Sequence, residues 1–557
     1  MMSTDYQAEY MHMGNPEEWD LDLDLDLLGC DMEELFDYKV DHPGLAPISE
    51  TPPHIIPQQQ QQQHQHQYSF SWRYSPSPEA METMKKRRPH LFSSGSASFD
   101  ILNKYGNRCR RLNSEFSNIS TKSGLSSGEL SIEMIIQLAA ENFIQTTSTC
   151  QGGDLCVLSH SPPYPGSILC HSKEDYEGIQ LVQSLLCCAD KVGKRQYESA
   201  CKLLHECDRK SSPEGTPVQR LVFYFSEALH EKIDRETGRI TSKGLGKKVQ
   251  DPLEALHSPD SAQIAFHKEH PLSQITKFAG IQAVLDNIAD ATKVHFIDFE
   301  IRKGVQCIVL IQALATARRH HPIDHLKITA VGTRSKQSME ETGRQLMSFA
   351  QCVGLNFSFD VIMVDDISDL NGNLFQLDDD EAIAVYVAYA LTHMISRPNQ
   401  LEHLMGVIKS LNPCVMVVTE VEASCNSPMF VDRFVEALFF YGAYFESMAN
   451  CLKNDEKHRS LAEGTCFSSS IRNMVAAEGE DRKIRHVGID VWRAFFMQCS
   501  LEEIELSTSA LYQAHLVLKN FTSGDCFTFD MDGRSLIIGW KRTPICSLSA
   551  WKFQCPQ

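Results

Sequence analysis

Apolar side chains recur along most of the chain, and their period changes partway. Leu181, Val182, Leu185, Leu186, Ala189 and Val192 fall at helical spacing. Further helical runs cover residues 200–204 and 218–233, which predicts a helix bundle with a leucine stripe on its buried side. Residues 131–144 give a shorter amphipathic helix, with Ser131 to cap it and Glu133 in its first turn. The polar stretch 237–260 reads as a loop or insertion, and helical spacing returns at 278–288. From Val294 the apolar runs shorten. Residues 294–299, 328–331, 359–364, 383–387 and 415–421 read as buried strands, with helices at 307–318, 338–352 and 400–411 between them. Strands alternating with helices predict an α/β fold, a Rossmann-like, mostly parallel sheet covered on both faces. A helix at 507–518 and strands at 526–530 and 535–541 close the chain. The turn Met531-Asp532-Gly533 predicts a C-terminal antiparallel hairpin.

Residues 1–125 follow neither period. Leu21, Leu23, Leu25 and Leu27 alternate with aspartates. As a strand, this segment would present a face of aspartates only, and like charges across a ladder oppose pairing. Acidic–hydrophobic alternation suits a segment that stays unfolded until it meets a partner, and the run MEELF at 32–36 extends it. A Gln/His tract at 58–67 and Pro-rich stretches follow, and these cannot build a packed core. The expected organisation is a disordered acidic and Gln-rich tail over 1–125, a short helix and linker over 126–173, and a folded body over 174–554.

Charge sharpens that division. The net charge is −20, and residues 1–82 hold 16 Asp and Glu against Lys39 and Arg73, so the tail carries −14 and the remainder −6. The body therefore lacks an overall basic footprint for nucleic acid. Lys85, Lys86, Arg87 and Arg88 form a compact basic run in this acidic setting, the pattern of a nuclear import signal. No apolar run is long enough to span a bilayer, and the polar, acidic N-terminus does not resemble a signal peptide. The 19 cysteines include no C-x-x-C pair, which fits reduced thiols. Cys201, His205 and Cys207 have the chemistry of metal ligands, but they lie in an apolar helical run with no second cluster to complete a site.

A parallel sheet directs the search for chemistry to the carboxyl end of its first strand. A nucleotide loop there needs bare backbone. The sequence reads Asp298-Phe299-Glu300-Ile301-Arg302-Lys303-Gly304, with a single late glycine. The second strand ends Val331-Gly332-Thr333-Arg334, without the acidic residue that would hold ribose hydroxyls. G-x-S-x-G, P-loop and H-E-x-x-H patterns are absent. Asp365, Asp366, Asp378, Asp379 and Asp380 read as solvated loop carboxylates. His295 is expected inside the sheet and Asp298 at the strand end, holding a loop or capping a helix. No catalytic, cofactor-binding or metal residue is assigned, no cofactor is expected, and the chain reads as a non-enzyme.

Val294, His295, Phe296, Ile297 and Asp298 resemble the VHIID motif of the plant GRAS family, with Phe296 in place of an isoleucine. Around it, FAGIQAVL at 278–285 resembles the preceding family helix, with Ile281 for its usual Asn, and LKITAVG at 326–332 resembles the second strand. Residues 341–359 resemble the second leucine repeat. EVEASCNSP at 420–428 is similar to the EQEANHN segment, without its Gln and His. NMVAAEG at 473–479, with Arg482, Arg485, His486 and Trp492, resembles a late block. Ser549, Ala550 and Trp551 match the SAW motif. Pro428 and Phe440-Tyr441 fit the PFYRE region, but Ser469-Ser470 stand where the family usually has Arg-Glu. The body most resembles the DELLA-like branch, although DELLA and TVHYNP motifs are absent.

The resemblance implies leucine repeat I at 174–237, a VHIID region at 257–333, leucine repeat II at 338–370, a PFYRE region at 380–475 and a SAW region at 478–554. It implies a methyltransferase-like core with a helical cap. It also implies a nuclear transcriptional regulator that acts through protein–protein contacts, including homo- or heterodimers with other GRAS proteins, and reaches DNA through DNA-binding transcription factors. Leu181, Val182, Leu185 and Leu186 are the expected interaction surface. The leucines of the tail are expected to meet a co-activator or co-repressor, and no membrane is involved. Trp540 and Trp551 are expected as core anchors. A direct, sequence-specific DNA-binding factor and an S-adenosylmethionine-dependent methyltransferase are the alternatives.

Overall fold

Two features of the sequence set the architecture: well-capped amphipathic helices in the first part, and strands that are apolar on both sides in the second. A computed structural model describes residues 130–149, 172–248, 260–316, 322–541 and 543–554. The tail leucines Leu21 to Leu27, the basic run Lys85 to Arg88 and the expected disorder of 1–125 lie outside the described residues. The chain first forms α1 (Ile132–Thr149), α2 (Lys173–Gly193), α3 (Tyr197–Lys210), α4 (Pro217–Thr237), α5 (Asp260–Glu269) and α6 (Pro271–Asn287). It then alternates through β1 (Lys293–Phe299), α7 (Val305–Thr316), β2 (His325–Gly332), α8 (Lys336–Cys352), β3 (Phe357–Met363), β4 (Ala382–Ala388), α9 (Pro398–Ser410) and β5 (Val415–Val421). Next come α10 (Phe430–Cys451), α11 (Glu456–Ala462), α12 (Ser468–Ala476), α13 (Ile489–Gln498), β6 (Leu501–Ile504) and α14 (Thr508–Lys519). The chain ends in β7 (Phe527–Asp532), β8 (Ser535–Trp540) and β9 (Thr543–Phe553).

The sheet runs β3-β2-β1-β4-β5-β9-β8-β7, with β6 also on β9. Strands β1 to β5 pair in parallel. β9 runs antiparallel to β5 along one edge and to β8 and β6 along the other. This is the Rossmann-like, methyltransferase-type sheet with an antiparallel C-terminal end. The expected hairpin is β7–β8, closed after the pair Asp532–Ser535. β9 was not among the expected strands. Residues 545–551 are buried on both faces, although Ser547 and Ser549 alternate with Cys546, Leu548 and Ala550 as in a half-exposed strand. Pro544 lies beside the register shift at Ile538/Gly539, where a missing ladder donor is tolerated.

One face of the sheet carries α9 and α13. There Ile297, Val385, Val387, Leu404, Trp492, Phe496 and Trp551 share a core. Helix α6 lies on the other face, where Gly280 lets the Tyr386 ring come within 3.3 Å of the place a Cβ would occupy.

The remaining helices form a cap. α2 starts with a reciprocal capping box between Ser172 and Asp175, and α4 with another between Thr216 and Gln219 followed by Pro217. The helix expected at 131–144 is α1. It packs on α2 and α10 through Ile135, Ile136, Ala139 and Phe143, all buried, and Leu130 N donates to Asp175 Oδ1 at 3.1 Å. Helix α10 ties cap to sheet: its Glu446 accepts from Trp540 Nε1 at 3.0 Å and from Lys541 Nζ at 2.9 Å. The leucine stripe needs a correction. Leu181, Val182, Leu185 and Leu186 are all buried within the bundle, so they form the cap's own core and present no free apolar face. A partner could reach them only by opening the cap.

Candidate functional site at the carboxyl rim of the sheet

The strand order reverses direction at β1, which has β2 on one side and β4 on the other. In sheets of this kind the crevice outside the carboxyl ends at such a point is where ligands are held. Two strained loops meet there. After β1, Glu300 and Arg302 adopt positive φ of 82° and 51°, and Gly304 adopts 65°. After β4, Tyr389 adopts 57°. For side-chain-bearing residues this conformation costs on the order of 1 kcal/mol each and persists only when neighbours impose it.

Those neighbours can be named. Gln306 Nε2, in the first turn of α7, donates to Asp298 Oδ2 at 2.7 Å and to Ile301 O at 3.2 Å. Thr342 Oγ1 donates to Arg302 O at 2.9 Å. A Cβ on Gly304 would fall 2.8 Å from Thr342 Cγ2, so this one glycine serves the approach of α8 to the loop. Tyr389 N donates to Thr419 O at 2.8 Å. Asp298 thus holds the β1–α7 loop, through the side chain at the head of α7.

The rim is polar, and much of it is dehydrated. Asp298 and Glu420 are buried. Burial pushes Asp298 up to about 7, against the hydrogen bonds from Gln306 and Cys307. Burial likewise pushes Glu420 up to about 8, although its Oε1 accepts from Leu391 N at 2.8 Å. Asp298 Oδ1, Glu420 Oε2 and Arg302 Nε have no hydrogen-bond partner, and the Glu300 carboxylate is 4.0 Å from Arg302 Nε. Burial and the nearby Arg302 charge bring Lys277 on α6 down to about 7. Its ammonium donates to Ser273 Oγ at 2.7 Å.

Chemically, this cluster offers carboxyl groups that titrate near neutrality and an amine that does the same. What it does not offer is bare backbone. Side chains from Glu300, Ile301, Arg302 and Lys303 occupy the turn where a nucleotide site would bring amide groups to a phosphate. Among the described residues, no group of three or more His, Cys, Asp or Glu is placed to hold a metal ion.

The other residues singled out by sequence fall elsewhere. His295 is buried between Glu381 Oε1, 2.8 Å from Nδ1, and Thr329 Oγ1, 2.7 Å from Nε2. Burial lowers its pKa, against the pull of Glu381. His295 and Asp298 are three residues apart on a strand, so they point to opposite faces and cannot act as a dyad. Val294, Phe296 and Ile297 are buried in the sheet. Ser549 accepts from Trp551 Nε1 at 2.8 Å, and Ala550 and Trp551 pair with Val417 and Met416 of β5. The SAW residues are therefore the seam between the parallel and antiparallel parts of the sheet.

Sequence reasoning missed Lys277, Glu420 and the strained Tyr389 as members of the rim. Lys277 lies in a helix that reads as ordinary core. Glu420 lies at the end of an apolar strand, and only that position hints at the rim.

The GRAS domain family profile matches residues 181–552. DELLA protein RGL1 of Arabidopsis thaliana is 30% identical over 376 residues, covering 67% of this chain and 70% of that protein. DELLA protein GAIP of Cucurbita maxima is 29% identical over 69% of this chain, which spans 64% of the relative, less than two thirds of its length. The crystal structure of SCL7 from Oryza sativa superimposes with a TM-score of 0.59 at 28% identity, covering 67% of this chain and 99% of that one. With a profile match across more than half of its length, the chain belongs to the GRAS domain family of plant regulators.

Proposed function

We propose that this protein is a nuclear co-regulator of transcription that works by binding proteins and is brought to DNA by partner transcription factors. One observation carries the non-catalytic half: the β1–α7 turn is built from Glu300, Ile301, Arg302 and Lys303 and is pinned by Gln306 and Thr342. A turn so filled and fixed leaves no bare backbone for a nucleotide. The charge of the body, −6 outside the acidic tail, supports indirect rather than direct DNA contact. The resemblance adds dimers with other GRAS proteins, import through Lys85, Lys86, Arg87 and Arg88, and a co-activator or co-repressor at Leu21, Leu23, Leu25 and Leu27. Leucine repeats I and II, the VHIID, PFYRE and SAW regions keep the bounds expected from sequence as the working division of the body.

Pull-down of full-length protein from plant nuclei should recover another GRAS protein or a DNA-binding factor. Gel shifts with the purified chain alone should show no sequence-specific band across salt concentrations. A specific band from the purified chain would establish the direct DNA-binding reading instead. The methyltransferase reading keeps one point in its favour, the strand order of the sheet. Saturable calorimetric binding of S-adenosylmethionine would overturn the non-catalytic proposal.

A further inference from the structure

Residues 482–486, between α12 and α13, lie against the loop that follows β5. Thr392, in the loop after β4, holds them there, since its Oγ1 donates to Arg485 O at 2.6 Å. The segment therefore sits at the carboxyl end of the sheet, beside β4 and β5.

Three guanidinium groups converge here. Arg433 of α10 donates through Nη1 to Ser427 O at 2.9 Å, and Arg482 donates through Nη1 to the same oxygen at 3.2 Å. Arg482 Nη2 and Arg485 Nη1 both donate to Asn426 Oδ1, each at 3.3 Å. Arg485 Nη2 donates to Gly479 O at 2.8 Å. All of these acceptors are neutral. Arg482 is only 5% exposed, and its Nε has no hydrogen-bond partner.

The charge is not balanced by the protein itself. Glu478 is the carboxylate that acts on both Arg482 and Arg485. Its Oε1 already accepts from Arg433 at 2.6 Å and from Lys232 at 2.8 Å. Lys232 also takes Glu236 at 2.8 Å, and Asp481, beside Arg482 in the chain, pairs with Arg235. Among the described residues, neither Arg482 nor Arg485 has an ion pair of its own. Burial and the neighbouring Arg433 and Arg485 bring Arg482 down to about 10, so it keeps its charge at neutral pH. A dehydrated cation without a counter-charge is costly, and an anion removes that cost. Lys232, Arg433, Arg482 and Arg485 face only Glu478 and Glu236, so a doubly charged anion fits the excess. Guanidinium forks suit tetrahedral oxyanions, whose oxygens accept from two donors at once. Arg485 and Asn426 are half-buried and Arg482 lies beneath them. That access suits a small anion, whereas the backbone of duplex DNA needs an open cationic surface.

We propose that Arg482 and Arg485, with Asn426 between them, bind a phosphate dianion, either inorganic phosphate or a small phosphate monoester. The site is independent of the proposed co-regulator role.

Calorimetric titration of the full-length protein with inorganic phosphate, at an ionic strength held constant with sodium chloride, tests it. Binding should be saturable, with a Kd on the order of 1 mM or below. Free phosphoserine is the second arm: tighter binding than inorganic phosphate identifies a monoester as the ligand, and weaker binding the free ion. Arg485→Gln should weaken binding about tenfold. Arg485→Lys, which keeps the charge and loses the fork, should fall between. Melting separates a binding site from a structural role. Phosphate should raise the melting temperature of the wild type by a few degrees and leave Arg485→Gln unmoved. An equal rise in both is the general stabilising effect of phosphate on folded proteins and overturns the proposal. Phenylglyoxal modification of the wild type, mapped on peptides, gives a readout that needs no variant to fold, because phosphate should protect Arg485. Absence of saturable heat, or of that protection, overturns the proposal. Displacement of bound phosphate by duplex DNA would mark a nucleic-acid contact and also overturn it.

Discussion

In the sheet, β4 is wholly and β5 mostly apolar, both are largely buried, and β5 meets the antiparallel strands at Trp551, packed 4.8 Å from the Phe496 ring centre. The cap is different. Its helices are tied across long sequence separations by charge. Arg220 on α4 pairs with Glu463 at 2.8 Å, with side chains only 3% and 0% exposed. Arg472 on α12 pairs with Glu231 at 2.7 Å. Glu478 takes both Lys232 at 2.8 Å and Arg433 at 2.6 Å. The two regions therefore fail differently. Loss of an apolar side chain leaves a void, and its cost follows the void's size. Loss of one ion leaves its partner charged and dehydrated, which costs more than the intact pair contributes.

The largest effects belong to the two anchors. Trp551→Ala should destabilise the chain by about 3–5 kcal/mol in chemical denaturation, through the cavity it opens at the seam. Near-normal stability would show that the SAW end is not structural. Arg220→Met should cost a comparable amount, about 3–5 kcal/mol, because Glu463 is left buried with only the more distant Arg459, 3.9 Å away. Here the comparison gives a sharper test, since Arg220→Met combined with Glu463→Leu should recover most of the loss. An equally unstable double variant would mean that cap and sheet do not differ in this way.

A smaller effect should appear with pH at the rim. Glu420 titrates at about 8 and Asp298 at about 7, each raised by burial. Carboxyls of an unfolded chain titrate near 4. Between about pH 4 and 8 the folded state keeps protons that the unfolded state has released, so these groups favour folding less as pH rises. Their contribution is fully present below about pH 4 and is lost as pH passes their folded values. Other carboxyls have the opposite slope: Asp208 is held down by His230 and Lys243 against its burial. The difference between variant and wild type isolates the rim. Glu420→Gln should melt with a flatter pH dependence from pH 5 to 8, by a few degrees. A parallel pair of curves would remove Glu420 from this account.

The smallest effect belongs to the surface. Lys173 and Glu177 on α2 are 3.6 Å apart, but their side chains are 89% and 62% exposed. Lys173→Ala should shift stability by no more than about 0.5 kcal/mol. A loss as large as that of Arg220→Met would erase the distinction between buried and exposed pairs.

Much of the sheet was legible in advance. β5 is found where the run 415–421 placed it, because a parallel strand covered on both faces is a continuous apolar segment. The turn before Ser535 announced the β7–β8 hairpin. α10 and β9 went unread. α10 is apolar on nearly every side, so it shows no contrast between faces from which period is read, and β9 buries Ser547 and Ser549 as fully as its apolar residues. At the rim, the β1–α7 turn was legible as poor in glycine, and Asp298 as a loop holder. Nothing local linked Asp298 to Glu420 or Lys277, since parallel pairing across β4 brings Glu420 to the same rim and the packing of α6 on the sheet brings Lys277.

The sequence alone determined the alternation of strands and helices, the division of charge between tail and body, and the motif order of the GRAS family. These are properties of neighbours along the chain, fixed by period, turn residues and composition. Only the tertiary structure decided which apolar stripes are used up in packing, as at Leu181 to Leu186, and which apolar residue stays displayed, as at Ile240. It alone decided that Arg220 meets Glu463 and that two carboxyl groups, Asp298 and Glu420, dehydrate at one rim. Burial and ion pairing depend on what arrives from elsewhere in the chain, and period along the sequence does not record that.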